Sequence, residues 1–418
     1  MNISILTLGT RGDVQPYVAL GLGLQRAGHY VKLITDSGFA ALVRDHGLSF
    51  TPLETGIIQL AQSAQGKAAM AGKGRLRLMK EVMPMLRRMM DDTWVAAQDS
   101  DAVIYHAKIL SGIHIAEKLN VPGYLAMAMP AYSPTTQFAN PVMGGGNYGA
   151  WLNKLSYTIL NKASTLPFRK LVNTFRREQL AMPPFKDDVT LSGKPVPKLY
   201  AYSQYVVPRP TDWTSDTHVT GYWFLPATSA WKPAPELLSY LSAGPPPVYI
   251  GFGSMSSEDT ATKTAIVLDA MQQTGQRAVL ATGWGGLAAM NAHANAPANV
   301  FVLDNAPHDW LFPQCAAVVH HGGAGTTAAG LRAGKPTVVV PFFGDQPFWG
   351  RRVHALGVGP QPIPQKNLTA AALADAIRQA TTDVTMQAKA RRLGEFISAE
   401  DGVANAVSII TRQTDTPH

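Results

Sequence analysis

Chemistry is densest in this 418-residue chain at His320-His321-Gly322-Gly323-Ala324-Gly325-Thr326-Thr327. An apolar run, Ala317–Val319, precedes the block, and helix-forming residues follow it to about Ala333. Glycines at such a turn let the backbone approach a ligand closely, and the unpaired N–H groups of the helix start attract phosphate oxygens. Thr326, Thr327 and a histidine add side-chain donors. A glycine-rich helix start with no ligand accounts for the same pattern. The two histidines are adjacent on a strand end, so they point to opposite faces and do not converge on an ion. No metal and no cofactor are expected.

A second cluster, Gly9-Thr10-Arg11-Gly12-Asp13-Val14-Gln15-Pro16, follows the apolar run that opens the chain. Open α/β sheets bind ligands beside the carboxyl ends of their strands, which is where this turn falls. Asp13 suits a helix cap, and Pro16 suits the first turn of a helix. Asp13 is equally suited to act as a general base, work that contributes roughly 10²–10⁴-fold to a rate.

The elements that must hold these clusters repeat one grammar. The pattern predicts a strand at Ser4–Leu8, a helix from about Val14 to Ala27 and a strand at Tyr30–Thr35. That is a βαβ unit, which implies a parallel sheet. Further strands are predicted near Ala102–Tyr105 and Tyr124–Met127. After Pro245-Pro246-Pro247 the grammar restarts, with strands at Val248–Gly251, Ala278–Ala281, Val300–Leu303, Ala317–Val319 and Thr337–Val340 and a helix at Glu258–Thr274. The expected fold is α/β: two Rossmann-like, doubly wound parallel-sheet domains facing a cleft. Residues 1–220 would form the N-terminal domain, 221–234 a linker and 235–400 the C-terminal domain, with a last helix at about 402–411 crossing back to the first.

Composition agrees with two cores: 46% of residues are apolar and 15% charged. The net charge of +8 is uneven. Residues 1–225 carry 23 Lys and Arg against 15 Asp and Glu, and residues 226–418 carry 13 against 13, so the excess lies in the first half. No basic stripe with interleaved aromatics and no helix-turn-helix appears, so nucleic acid is not the expected partner. Met1–Leu8 lacks the basic head and cleavage site of a signal peptide, and no apolar run spans a bilayer. The single cysteine, Cys315, fits a reducing cytoplasm. Gly144-Gly145-Gly146-Asn147-Tyr148-Gly149 matches a dinucleotide pattern but follows no strand, so it reads as a flexible loop.

The run from Ala306 to Gly359 resembles the donor-site signature of UDP-dependent glycosyltransferases of the GT-B fold. It opens with Ala306-Pro307-His308-Asp309-Trp310, continues through the His320–Thr327 block, and ends in Pro341-Phe342-Phe343-Gly344-Asp345-Gln346-Pro347. The sterol 3β-glucosyltransferase branch is the nearest resemblance, with bacterial antibiotic glycosyltransferases beside it. The resemblance implies that His321 contacts a diphosphate, aided by Gly323, Gly325, Thr326 and the turn holding Gly253 and Ser254, with Gly12 opposite. It implies that Asp345 and Gln346 bond the donor sugar, that His308 and Trp310 lie at the nucleotide base, and that Asp13 is the base. The chain departs from the plant pattern at Ala329, where a ribose-binding glutamate stands, and at Asn305, where a tryptophan stands. The implied reaction is inverting, metal-independent transfer of a hexose, glucose first, from a UDP-sugar to a hydroxyl of a hydrophobic, sterol-like acceptor.

Leu76, Met79, Met83, Leu86, Met90 and Trp94 recur at helical spacing, with Arg75, Arg77, Lys80, Arg87 and Arg88 between them. Pro84 predicts a kink or two short helices. A core-facing helix explains the pattern; so does an adaptable Met-lined acceptor wall, Met79 and Met83 included, whose basic face rests on an anionic membrane. Tyr132, Phe138 and Trp151 form a second candidate acceptor wall. His106 ends a predicted strand and is counted with them, although His29, His106 and His114 all suit structural roles. Two rival functions remain: a nucleotide-sugar epimerase on the same fold, which needs no acceptor pocket, and a non-catalytic nucleotide-sugar or lipid binder.

Overall fold

The computed structural model describes residues 1–54, 56, 60, 63, 75–185, 190–191, 193–226, 231–253, 260–282 and 296–414. Its first sheet has seven parallel strands: β1 (Asn2–Leu6), β2 (Tyr30–Asp36), β3 (Ser49–Leu53), β4 (Ala102–Tyr105), β5 (Gly123–Met127), β6 (Lys198–Tyr200) and β7 (Thr217–Val219). Their spatial order is β3-β2-β1-β4-β5-β6-β7. The second sheet has five parallel strands: β8 (Val248–Gly251), β9 (Ala278–Ala281), β10 (Val300–Leu303), β11 (Ala317–His320) and β12 (Thr337–Val339), in the order β10-β9-β8-β11-β12.

Both sheets are buried on both faces, as parallel sheets must be. In β1, Ile3 and Ile5 join one core cluster while Leu6 joins the cluster on the other face, which is the two-residue alternation of a strand. Helix α1 (Arg11–Arg26) lies on the first of these faces, with Val14, Val18 and Leu24 buried.

The switch points of the two sheets fix where a site can form. In the first sheet the strand order reverses between β1 and β4, with Leu6 paired to Tyr105. In the second it reverses between β8 and β11, with Gly251 paired to His320. The loops after these four strands diverge to opposite sides and leave a crevice at each sheet's carboxyl edge.

Other helices tie the halves together. Helix α2 (Arg75–Ala97) is a single element with Pro84 inside it. Helix α3 (Ala150–Thr165) follows the loop that contains Phe138. Helix α4 (Ala324–Arg332) starts at Gly323, and helix α5 (Gln346–Ala355) starts at Asp345. The Phe138 and Phe348 rings lie 5.9 Å apart, and the Arg352 guanidinium donates to the Val206 carbonyl at 2.6 and 2.9 Å. Helix α6 (Gly402–Thr414) returns to the first sheet, burying Ala406 and Ile410 beside α1. Tyr124 Oη donates to the Ile410 carbonyl at 3.1 Å. Gly23 of α1 lies flush against Val403, where a Cβ would collide.

Two local readings change. Pro16 lies inside α1, because the helix begins at Arg11. The 144–149 segment is a bonded turn seated on α5: Gly145 N–H donates to Asn140, and a Cβ at Gly145 would enter the Phe348 ring.

Candidate active site

The first-sheet half of the site starts from α1. Thr10 caps the helix, and Asp13, three residues on, turns its carboxylate back toward the Thr10 N–H at 2.8 Å and hydroxyl at 3.1 Å. This is half of a capping box, so the structural role of Asp13 is real. The other carboxylate oxygen, Oδ1, takes Lys108 Nζ at 2.8 Å and lies 3.7 Å from His106 Nε2. Lys108 and His106 come from the loop after β4, across the switch point from Asp13. A Cβ on Gly9, whose φ is +140°, would run into the Asp13 carboxylate and the Lys108 amine; glycine makes room for the ion pair.

Burial pulls the Asp13 carboxyl upward, but Lys108, His106 and the Thr10 N–H outweigh it and hold the group below the usual carboxylate range. Asp13 is therefore ionised near neutrality, with part of its side chain still open to solvent. Burial takes the His106 imidazole down to about 4, so it is neutral at pH 7. Its Nδ1 accepts the Lys108 backbone N–H at 3.0 Å, which leaves the ring proton on Nε2, facing Asp13.

The second-sheet half is built on glycines. His321 leaves β11 and lies between two Cα atoms: a Cβ on Gly253 would meet its ring at 3.1 Å, and one on Gly323 would meet Nε2 at 2.6 Å. Burial holds His321 at about 4, so it presents an uncharged ring. Its Nδ1 is buried and has no hydrogen-bond partner among the described residues. The neighbouring His320 is buried in the core side of the turn, where its Nδ1 accepts the Gly322 N–H at 2.8 Å. Directly beyond, α4 offers its first N–H groups with Gly325 and Thr326 at the open end, while the Thr327 hydroxyl is spent on the Gly323 carbonyl at 2.9 Å. An imidazole with a buried, unpartnered Nδ1 beside a bare helix start fits an anion.

Asp345 sits at the start of α5, where Oδ2 accepts Trp349 Nε1–H at 2.8 Å. Burial raises its carboxyl, the Trp349 bond opposes the rise, and the Asp13 charge adds to it while Lys108 lowers it. His308 stacks on Phe312 at 4.3 Å and is held at about 4 by burial, with Arg11 from the first sheet's turn adding to the effect. The two crevices thus face one cleft.

Not every predicted residue arrives there in the predicted form. The Gln346 side chain is buried, and its amide oxygen accepts the Phe342 N–H at 2.8 Å and the Phe343 N–H at 3.2 Å, so that oxygen closes the turn. Trp310 packs on Trp231 at 5.0 Å in a cluster beneath the sheet. Gly12 is exposed at the start of α1, and Ser254 lies outside the described residues. Met79 and Met83 are half-buried on α2, whose core contacts come from Leu86, Met89 and Met90. Arg87 pairs with Asp91 at 3.0 Å and Glu178 at 2.7 Å, so the basic face of α2 is partly neutralised. Tyr132 and Phe138 pack on the core at the domain contact, whereas Trp151 projects outward, 72% exposed. Lys108 and Arg11 were not singled out from sequence. The signal for Lys108 was its place two residues after His106, at the end of a strand next to the switch point.

Two domain families match the chain: the Glycosyltransferase family 28 N-terminal domain over residues 3–136 and the Erythromycin biosynthesis protein CIII-like C-terminal domain over residues 267–410. Sterol 3-beta-glucosyltransferase UGT80B1 of Arabidopsis thaliana is 38% identical over 424 residues, covering 99% of this chain and 68% of that protein. The chain belongs to the glycosyltransferase family that includes the sterol 3-beta-glucosyltransferases. UGT80A2 of the same plant is 39% identical, with 97% of this chain and 64% of that protein aligned. A sterol 3-beta-glucosyltransferase of Aspergillus terreus is 38% identical over 99% of this chain and 30% of its own length. The chain therefore spans about two thirds of its plant relatives and under a third of the fungal one.

Solved structures show the same GT-B fold. The glycotransferase of kitacinnamycin superposes with a TM-score of 0.72 at 19% identity, over 99% of this chain and 98% of that one. The glycosyltransferase VinC, in complex with dTDP, gives 0.69 at 19% identity, over 99% of this chain and all of that one. Among the described residues no helix is long and apolar enough to cross a membrane.

Proposed function

We propose that this glycosyltransferase moves a hexose, glucose first, from a UDP-sugar to a hydroxyl of a lipophilic, sterol-like acceptor, with inversion at the anomeric carbon and without a metal ion. The observation that carries the reading is the ionised Asp13 carboxylate at one switch point, facing Asp345 and the His321–α4 turn at the other. In this reading residues 1–220 hold the acceptor and residues 235–400 hold the donor.

The diphosphate rests on the N–H groups of α4, with Gly323, Gly325 and Thr326 close to it and a ring N–H of neutral His321 donating. Asp345 bonds the sugar hydroxyls. The Gln346 oxygen is engaged by the turn, so its contribution is to hold Asp345 in place. His308 borders the nucleotide base. The acceptor hydroxyl attacks the anomeric carbon from the Asp13 side. As the new C–O bond forms, the bond to the β-phosphate oxygen breaks and its electron pair leaves with UDP. The hydroxyl proton passes to Asp13. Charge developing on the leaving diphosphate is met by fixed dipoles already aimed at it, the arrangement that lowers such barriers most. The uneven +8 supports a further part of the reading: the first half meets an anionic membrane, from which a lipophilic acceptor is drawn.

The test is incubation with UDP-α-glucose, a chelator and a panel of sterols and other apolar alcohols, followed by mass spectrometry and proton NMR. A β-linked hexosyl product formed in chelator supports the reading. Conversion of the donor to an epimer with no acceptor product favours the epimerase.

A further inference from the structure

Between Glu117 and Glu178 the chain contains no aspartate or glutamate, yet it contains seven lysines and arginines. Arg176 is buried against Glu117, Arg177 pairs with Glu178, and Lys154 lies 3.8 Å from Asp212. Lys162 and Lys170 are exposed and make no ion pair among the described residues.

Helix α3 lies within this acid-free stretch, and its polarity is reversed. Its buried residues include Asn153 and Ser156, which bond the preceding loop: Asn153 Nδ2 donates to the Thr136 carbonyl at 2.8 Å, and Ser156 Oγ accepts the Asn140 N–H at 2.8 Å. Its outward stripe, by contrast, is apolar apart from one lysine. Leu152, Leu155, Ile159, Lys162 and Leu166 follow at steps of three and four, the spacing of one helix face. Leu152 is 48% exposed, Ile159 52% and Leu166 58%, and Trp151 and Met143 stand open beside them. A helix that seats amide and hydroxyl groups inward and leucines outward is matched to a non-aqueous exterior.

We propose that this face, from Met143 through Leu166, seats on the headgroup layer of an anionic lipid bilayer. The apolar stripe enters the acyl boundary while Lys162 and Lys170 meet lipid phosphates, the usual arrangement of an interfacial helix. Tryptophan at the edge of such a face suits the boundary between headgroup and acyl chain. The absence of acidic groups decides between partners: a second copy of this face would set cations against cations, whereas anionic lipid complements them. The loop that leads into α3 also carries Phe138 to the domain contact, which places the lipid beside the mouth of the cleft. The inference deepens the membrane contact proposed above by naming its face, and it does not rest on sugar transfer.

Vesicle co-sedimentation tests it, using phosphatidylcholine vesicles with and without phosphatidylglycerol. The wild-type chain is expected to sediment with the anionic vesicles at low salt and to be released at high salt. L152E/I159E and K162E/K170E change exposed residues outside the cleft, and each is expected to weaken that binding at least about tenfold. Their melting temperatures and UDP affinities should match wild type, which separates lost docking from lost folding. Wild-type protein that ignores anionic vesicles overturns the membrane contact altogether. Wild-type binding that both variants retain overturns this face alone. A concentration-dependent dimer in sedimentation velocity, abolished by L152E/I159E while lipid binding is absent, assigns the face to self-association and overturns the proposal.

Discussion

Asp13 and Asp345, one from each sheet, sense each other's charge across the cleft, and Lys108, ion-paired to Asp13 at 2.8 Å, acts on both. Two carboxylates facing one space repel: the Asp13 charge and burial raise the Asp345 carboxyl, while the Lys108 ammonium lowers both groups. The reaction proposed here needs both: one to take a proton and one to bond sugar hydroxyls.

Asp13→Asn keeps the size of the side chain and much of its capping ability but removes the proton acceptor. Turnover should fall by roughly 10²–10⁴-fold while donor KM changes little. Weakening of the bond to Thr10 costs no more than about 2 kcal/mol, so circular dichroism should show a folded protein. Near-normal turnover discards Asp13 as the base.

Lys108→Met removes the chief influence that lowers the Asp13 carboxyl and leaves the burial that raises it. The pKa of Asp13 should therefore rise. Because the ionised form is the active one, the acid limb of the kcat/KM profile should move to higher pH. A profile that stays in place, or moves to lower pH, contradicts the ion pair as the control on Asp13.

Gly323→Ala tests the seat of His321 together with the close approach of the backbone to the diphosphate. The φ of −61° admits alanine without strain, but the added Cβ meets His321 Nε2 at 2.6 Å. The imidazole must move, and UDP affinity by titration calorimetry should drop about tenfold or more, as displacements near 1 Å commonly do. The melting temperature should change little. Unchanged UDP affinity would remove His321 from the diphosphate.

His321→Ala should weaken UDP by about 1–3 kcal/mol, the worth of one lost buried donor. Because the ring is held near 4, the contribution is that of a neutral N–H. UDP binding should thus be flat from pH 6 to about 8 as far as this residue is concerned. A binding curve that tracks a histidine titrating in that range contradicts a neutral donor.

The sheets were readable where strands are continuous apolar runs: Ala102–Tyr105, Val248–Gly251, Ala278–Ala281 and Val300–Leu303 stand as the pattern predicts. The glycine-rich turn and its helix were readable for the same reason, since Gly-rich sequence after an apolar run has few other uses. Strand β6 was missed because it begins with Lys198, a cation made compatible with burial by the Val196 carbonyl at 3.1 Å and by Asp216 at 2.6 Å, a partner 18 residues away. Helix α3 was missed because its exposed leucines and buried Asn153 invert the periodicity by which helices are recognised. Lys108 carries no motif of its own; its role appears only when β4 pairs with β1 and brings it to Asp13. Gln346 was expected at the sugar, but a backbone turn claims its oxygen, a competition invisible in the sequence.

The central claim is that a nucleotide diphosphate rests on the start of α4 with Asp13 opposite. A crystal structure of the UDP complex measures this directly. The β-phosphate should lie within hydrogen-bond reach of the Gly325 or Thr326 N–H and of His321, with its free side toward the Asp13 carboxylate. UDP bound elsewhere, or bound at α4 with Asp13 turned to a different surface, would contradict the account.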